Sequence, residues 1–326
     1  MPGKILLYTL VVFAFCSFVL SVVFSYLNTD ASRGDEPNPV ISTLYKNSTT
    51  AIDKKYPQEI TPIGTVFGIV WPVIYLWNAV GIVYILISLF LPQHKSPVKI
   101  EPTLTPYHFL VSYIFLFLIP IAWLFSFDNE ILELSLAFLI LAAVLAYITI
   151  GISCKRTHDS EKILKKSKSK AMLWLMRILV QNGLCVLATW LTIAMLINVV
   201  NVIIYYNSPG LDVALRRDTL NQEDASTVGL SLLMFFIISW FIIENVIWEK
   251  YCRYNFTIYP VVILGSGGLV ARLRVEGGTR NLILASVVLG ISSLAFTVRI
   301  ILSVYRSRSR NRGTSGSGHT LGDSSL

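Results

Sequence analysis

ILLYTLVVFAFCSFVLSVVFSYL, residues 5–27, holds 23 side chains and not one charge. As a helix, a run of that length rises about 34 Å, enough to cross a hydrocarbon core about 30 Å thick. Lipid offers no partner to a backbone amide, so the run must satisfy its own hydrogen bonds, and helix is the form that does so. A signal-peptide apolar region is about 7–15 residues long and precedes a small-x-small cleavage site. The run here is longer and no such site follows it, which favours a retained helix.

Seven further apolar runs lie outward of the first, at 64–91, 104–126, 130–152, 172–206, 228–248, 257–272 and 281–305. The fold class this predicts is all-α: a polytopic membrane helical bundle of about eight transmembrane helices. The composition agrees, with 54% hydrophobic and 14% charged residues, against about 25% charged in soluble domains. The net charge of +8 collects in short loops, so it reads as topology and argues against nucleic acid as a partner. Run 172–206 is too long for a simple crossing, and Met172 to Asn182 is expected to project into the interface. Run 257–272 carries Pro260 and Gly265-Ser266-Gly267-Gly268, and a re-entrant segment is an alternative there. The glycines favour close helix packing and are no phosphate loop, since no strand precedes them.

Lys and Arg in short loops set orientation. With the N-terminus in the cytosol, sixteen basic residues fall on the cytosolic side and nine on the other. Both termini are therefore expected in the cytosol, although Arg272, Arg274 and Arg280 count against it. The sequon Asn47-Ser48-Thr49 lies in the first loop, on the expected outside, and marks Asn47 as a glycosylation site. The sequon at Asn255 lies inside, hard against a span, and is expected to be unmodified. A glycan points to the secretory pathway or plasma membrane. Cys16, Cys154, Cys185 and Cys252 lack metal-ligand spacing, and no disulfide is expected. The tail 306–326 is rich in Arg, Ser and Gly and is expected to be a disordered, basic, cytosolic segment.

Polar and aromatic groups at membrane depth are the first candidates for function. Trp190, Ala194, Asn198 and Asn201 share one helical face of the fifth span. Such a face makes either a pocket wall or inter-helical glue of about 1 kcal/mol per amide. Phe67, Trp71 and Tyr75 form a stripe on the second span, as pocket or as core. In the sixth, Trp240, Glu244 and Trp248 read as one face, with Glu244 near enough to the cytosolic end to reach water. Arg177, Gln181 and Asn182 are expected to snorkel.

These residues resemble the tryptophan-rich sensory protein or translocator protein (TspO/MBR) family, also called the peripheral benzodiazepine receptor. Its second-helix pattern, a proline and then Phe-x-x-x-Trp-x-x-Leu-Tyr, is met by Pro62, Phe67, Trp71 and Ile74-Tyr75. Its fifth-helix pattern, Trp-x-x-x-Ala-x-x-x-Asn, is met by Trp190, Ala194 and Asn198. Ala122-Trp123 is similar to the family's Asn-x-Ala-Trp, with Pro120 in place of the asparagine. The first-loop tryptophans of the family have no counterpart in 29–63. The resemblance covers about 1–207 as a five-helix core, leaving 208–305 as three additional membrane helices, an extended eight-helix relative. It implies an intramembrane pocket for a flat apolar ligand, a porphyrin or sterol, lined by Phe67, Trp71, Tyr75, Trp123, Trp190, Ala194 and Asn198, with no further cofactor. Family members sit in the mitochondrial outer membrane or in bacterial membranes, whereas Asn47 favours the secretory route.

Two other readings stand beside it. A transporter or channel would use Glu244 and Asn245 as a polar path, with Arg177 and Asn182, although no inverted repeat is visible. A seven-span receptor needs the first run removed and lacks the usual Asp-Arg-Tyr and Asn-Pro-x-x-Tyr signatures. Catalysis and metal binding have no support: His94, His108, His158 and His319 are scattered. The remaining expected partners are the lipid bilayer, anionic lipid at the basic stretch 155–170, and a second copy in a homodimer.

Overall fold

The computed structural model describes residues 2–30, 39–166, 169–206, 220–277 and 279–316. Eight helices among them are long and apolar enough to cross a membrane. In chain order they are α1 (Pro2–Asp30), α4 (Gly64–Ile87), α5 (Tyr107–Asp128), α6 (Leu132–Lys166), the composite run Lys170–Tyr205, α9 (Gln222–Ile242) with its extension to Ile247, α11 (Ile258–Glu276) and α12 (Thr279–Gly316). Short helices α2 (Pro39–Leu44), α3 (Thr49–Lys55) and α10 (Glu249–Cys252) lie between them. The described residues contain no strand.

The composite run is the axis of the bundle. It consists of α7 (Lys170–Leu175), a π-helical turn (Met176–Gln181) and α8 (Asn182–Tyr205). α8 packs against α4, α6, α9 and α11, and nearly all of its side chains are buried. Its start is packed into the bundle on one side, with Met172, Leu173, Met176 and Arg177 buried and Trp174 and Ile178 exposed. A π turn inserts one residue and frees a carbonyl from the helix ladder. Here Trp77 Nε1 donates to Ile178 O at 2.8 Å, and Asn182 Nδ2 to Arg177 O at 2.8 Å. The Arg177 carbonyl also keeps the backbone N–H of Asn182 as a donor, so both side chains reinforce the turn.

Glycine sets the close approaches. A Cβ on Gly81 would stand 2.8 Å from Leu179 O, and one on Gly268 would stand 2.2 Å from Val66 Cγ2. A Cβ on Gly265 would stand 3.3 Å from Ile193 Cδ1. The seventh run is therefore a full helix docked on α4 and α8, and the re-entrant alternative falls away. Gly265 and Gly268 lie where those neighbours need room.

Polar contacts sort the connections between two ends of the bundle. At one end the strap 39–63 meets the α5–α6 turn, α9, α11 and α12, through Asn47 to Asp128, Glu59 N to Ser226, Arg272 to Thr61 O and Asn281 to Glu59. At the other end, Ser169 bonds His94 O, Cys154 lies against Asn255, and Arg306 pairs with Glu249. Each long helix runs from one set to the other, which is the alternation eight crossings require. Arg272 and Arg280 fall at the strap end, where they pair with Glu276 at 2.8 Å and Asp224 at 2.6 Å. α12 continues through Arg306 to Gly316, where the sequence suggests a disordered tail. Residues 167 and 168 of the basic stretch, Arg216, Arg217 and 317–326 lie outside the described residues.

Candidate ligand pocket

The second-span stripe and the fifth-span face meet. Phe67 packs edge-on against Trp190 with centroids 5.3 Å apart, and Trp71 meets Trp190 edge-on at 6.2 Å. Trp71 also stacks on Tyr75 at 5.6 Å and 19°. Offset and edge-to-face arrangements of this kind are favoured by the ring quadrupoles. Tyr75 is tied to α1 by its hydroxyl, which donates to Ser25 Oγ at 2.6 Å.

Beside these rings lies a cavity of about 20 Å³. α4 contributes Trp71 and Tyr75 to its wall, α5 contributes Leu116, Phe117, Pro120 and Trp123, and α8 contributes Leu187, Leu191 and Ala194. Ser21 of α1 and Leu139 of α6 complete it. Four of the seven residues singled out in the sequence (Trp71, Tyr75, Trp123 and Ala194) therefore share one wall. Trp190 and Phe67 stand behind Trp71, with Trp190 only 1% exposed. Asn198 is held by its own helix and by α6, its Nδ2 donating to Ala194 O and its Oδ1 accepting from Ser135.

The wall is apolar apart from a few groups. Among the described residues, Trp123 Nε1 and Trp190 Nε1 are buried N–H donors without a partner. Pro120 has no N–H, so the carbonyl of Leu116 lacks its helical donor. An unpaired donor, and a carbonyl without its i+4 helical donor, thus belong to two residues of α5 that line the cavity.

A second polar centre lies toward the other end. Glu244 does not reach water: it is 0% exposed. Trp240 Nε1 donates to its Oε2 at 3.1 Å and Tyr259 OH to its Oε1 at 2.5 Å. Arg299 of α12 stands 3.7 Å away and reaches Asn245 Oδ1 at 3.0 Å and Cys252 O at 2.7 Å. The π turn Ile243–Ile247 shifts the register, so Trp248 leaves the Trp240–Glu244 face and is 45% exposed. Arg299 was missed in the sequence, although a lone arginine inside an apolar run is the usual sign of a buried partner.

The residues expected to snorkel are buried as well. Arg177 pairs with Glu161 at 3.0 Å and lies over the Tyr254 ring at 3.9 Å. Gln181 Nε2 donates to Ser153 and Thr157, while Asn182 bonds Tyr254 O and Phe256 N. Arg177 and Asn182 thus fasten the α10–α11 connection to the composite run, and Gln181 ties that run to α6. No group of His, Cys, Asp and Glu among the described residues is placed to hold a metal.

A family model described as TSPO-like protein matches residues 11–264. The chain belongs to the TSPO-like family. The match passes residue 207 and runs through α9 into α11, so the family likeness of this TSPO-like protein is not confined to the first five spans. No curated protein and no solved structure matches it.

Proposed function

We propose that this multi-pass membrane protein of the TSPO-like family binds or senses a flat apolar ligand, a porphyrin, a sterol or a similar lipid, between α4, α5 and α8. The observation that carries the reading is the convergence of Trp71, Tyr75, Trp123 and Ala194, from three helices, on one enclosed space. At about 20 Å³ that space holds about one water, whereas ligand sites run to about 300–1,000 Å³. On this reading a ligand enters only if Trp71 and Trp123 swing or α5 moves at Pro120. Equilibrium binding of a fluorescent porphyrin and of a sterol to purified protein tests the reading. Trp71→Ala and Ala194→Leu should each weaken binding by about tenfold or more; binding untouched by both counts against the pocket.

Glu244 and Arg299 favour a second reading, transport, because an ion pair at depth is the usual mark of an ion or proton path. Liposome flux that falls in Glu244→Gln would support it. A seven-span receptor fits poorly, since α1 packs on α4 and α5 and supplies Ser21 to the cavity.

A further inference from the structure

Beyond the cavity, the α8 face that carries Ala194 turns polar toward the strap. Ala194, Asn198 and Asn201 share a face of α8, and the rise per residue sets Asn201 about 10 Å beyond Ala194. On α6, Leu139 lines the cavity, and Ser135, one turn further out, donates to Asn198 Oδ1 at 3.3 Å. The strap crosses above: Gln58 Nε2 donates to Ile197 O at 3.3 Å, and Tyr205 OH to Pro57 O at 2.7 Å. Beneath it Asn201 is 0% exposed, and among the described residues neither its Oδ1 nor its Nδ2 has a partner. Gln58 Oε1 is likewise buried and unpaired. Buried amides are nearly always satisfied, so these three orphaned atoms call for a partner of their own.

We propose that Asn201 and Gln58 form a polar subsite under the strap for the neutral hydrogen-bonding head, a hydroxyl or carbonyl, of an amphipathic ligand. The flat apolar body of that ligand lies along α8 toward Trp71 and Trp123, so the proposal rests on the pocket reading above. The subsite offers a donor in Nδ2 and acceptors in the two amide oxygens, and a hydroxyl can meet both kinds. The buried guanidinium groups of Arg177 and Arg299 are committed to Glu161 and Glu244, and Arg272 at the strap to Glu276 and Thr61 O, so among these described arginines none is left as a counter-ion for a carboxylate head.

The test uses the full chain in detergent and two probes, a sterol with a single hydroxyl and the corresponding hydrocarbon, with binding followed by tryptophan fluorescence. The alcohol is expected to bind about tenfold more tightly than the hydrocarbon. Asn201→Leu, which is close to isosteric, is expected to remove that preference and leave hydrocarbon affinity within about twofold, with Gln58→Leu acting in the same direction. Without ligand, Asn201→Leu should also raise Tm, since it replaces an unpaired amide with an apolar group. A preference that survives both substitutions overturns the proposal, and so does a fall in ligand-free Tm, which would mean the amide is already partnered. If wild type binds both probes equally, the subsite alone fails. If it binds neither, the pocket reading fails and the subsite with it.

Discussion

Trp123 combines a large apolar ring, stacked on Phe127 at 5.6 Å, with an N–H that has no acceptor among the described residues. Replacing it with Phe keeps most of the ring area and removes only the donor. Trp123→Phe should therefore weaken a ligand carrying an acceptor by about tenfold, and a purely hydrocarbon ligand hardly at all, in the same equilibrium assay. Glu130 makes a second prediction, at the strap. Burial alone would raise its carboxyl, but hydrogen bonds from Lys55 and Tyr56, with the charges of Lys55 and Lys46, hold it below its ordinary value of 4.5. A lowered carboxyl contributes stability that is complete above its unfolded value and is lost as pH falls through the folded one. Strap docking should therefore be constant from neutral pH down to about 4.5 and weaken below that. Proteolysis of the strap against pH checks this, with Glu130→Gln flattening the profile.

Helices dock in this bundle through glycine contacts and buried charge. Gly268→Ala places a Cβ against Val66 of α4, whereas Gly267 has nothing within 4 Å. Unfolding in detergent should show Gly268→Ala destabilised by about 1–3 kcal/mol and Gly267→Ala close to neutral. Glu244 and Arg299 join α9 to α12, and removing one partner strands the other. Glu244→Leu or Arg299→Leu should each cost about 3–5 kcal/mol, while the double substitution should recover most of that. Element existence was legible in the sequence because lipid forces one answer on a 20-residue apolar run. The two π turns were not. Inserting one residue leaves no trace in hydropathy, yet it re-aims Glu244 and Trp248, and that is why their shared face was misread. The snorkelling expectation for Arg177 failed for a related reason: its partner Glu161 lies on another helix, and spacing along one span cannot reveal it.

Across the whole molecule, the strap 39–63 ties the α5–α6 turn, α9, α11 and α12 together at one end of the bundle. Asn47 sits in it, with its backbone N–H 2.6 Å from Asp128 Oδ1. If that end faces the secretory lumen, glycosidase treatment should shift the wild type on a gel and leave Asn47→Gln unmoved. An unshifted wild type would argue against that orientation and compartment. The meeting of the two faces was half legible: the spacings Phe67-Trp71-Tyr75 and Trp190-Ala194 mark the faces that touch, but which rings line the cavity and which stand behind depends on how α4 and α5 rotate against α8. The chain offers no sequence signal for that rotation. Photo-crosslinking tests the central claim most directly, using a photoreactive sterol in membranes with adducts mapped by peptide sequencing. The account predicts adducts on the wall of α4, α5 and α8, around Trp71, Trp123 and Ala194, suppressed by Ala194→Leu. Adducts confined to the outward-facing surface at Leu76 and Phe115 and indifferent to that substitution would contradict it.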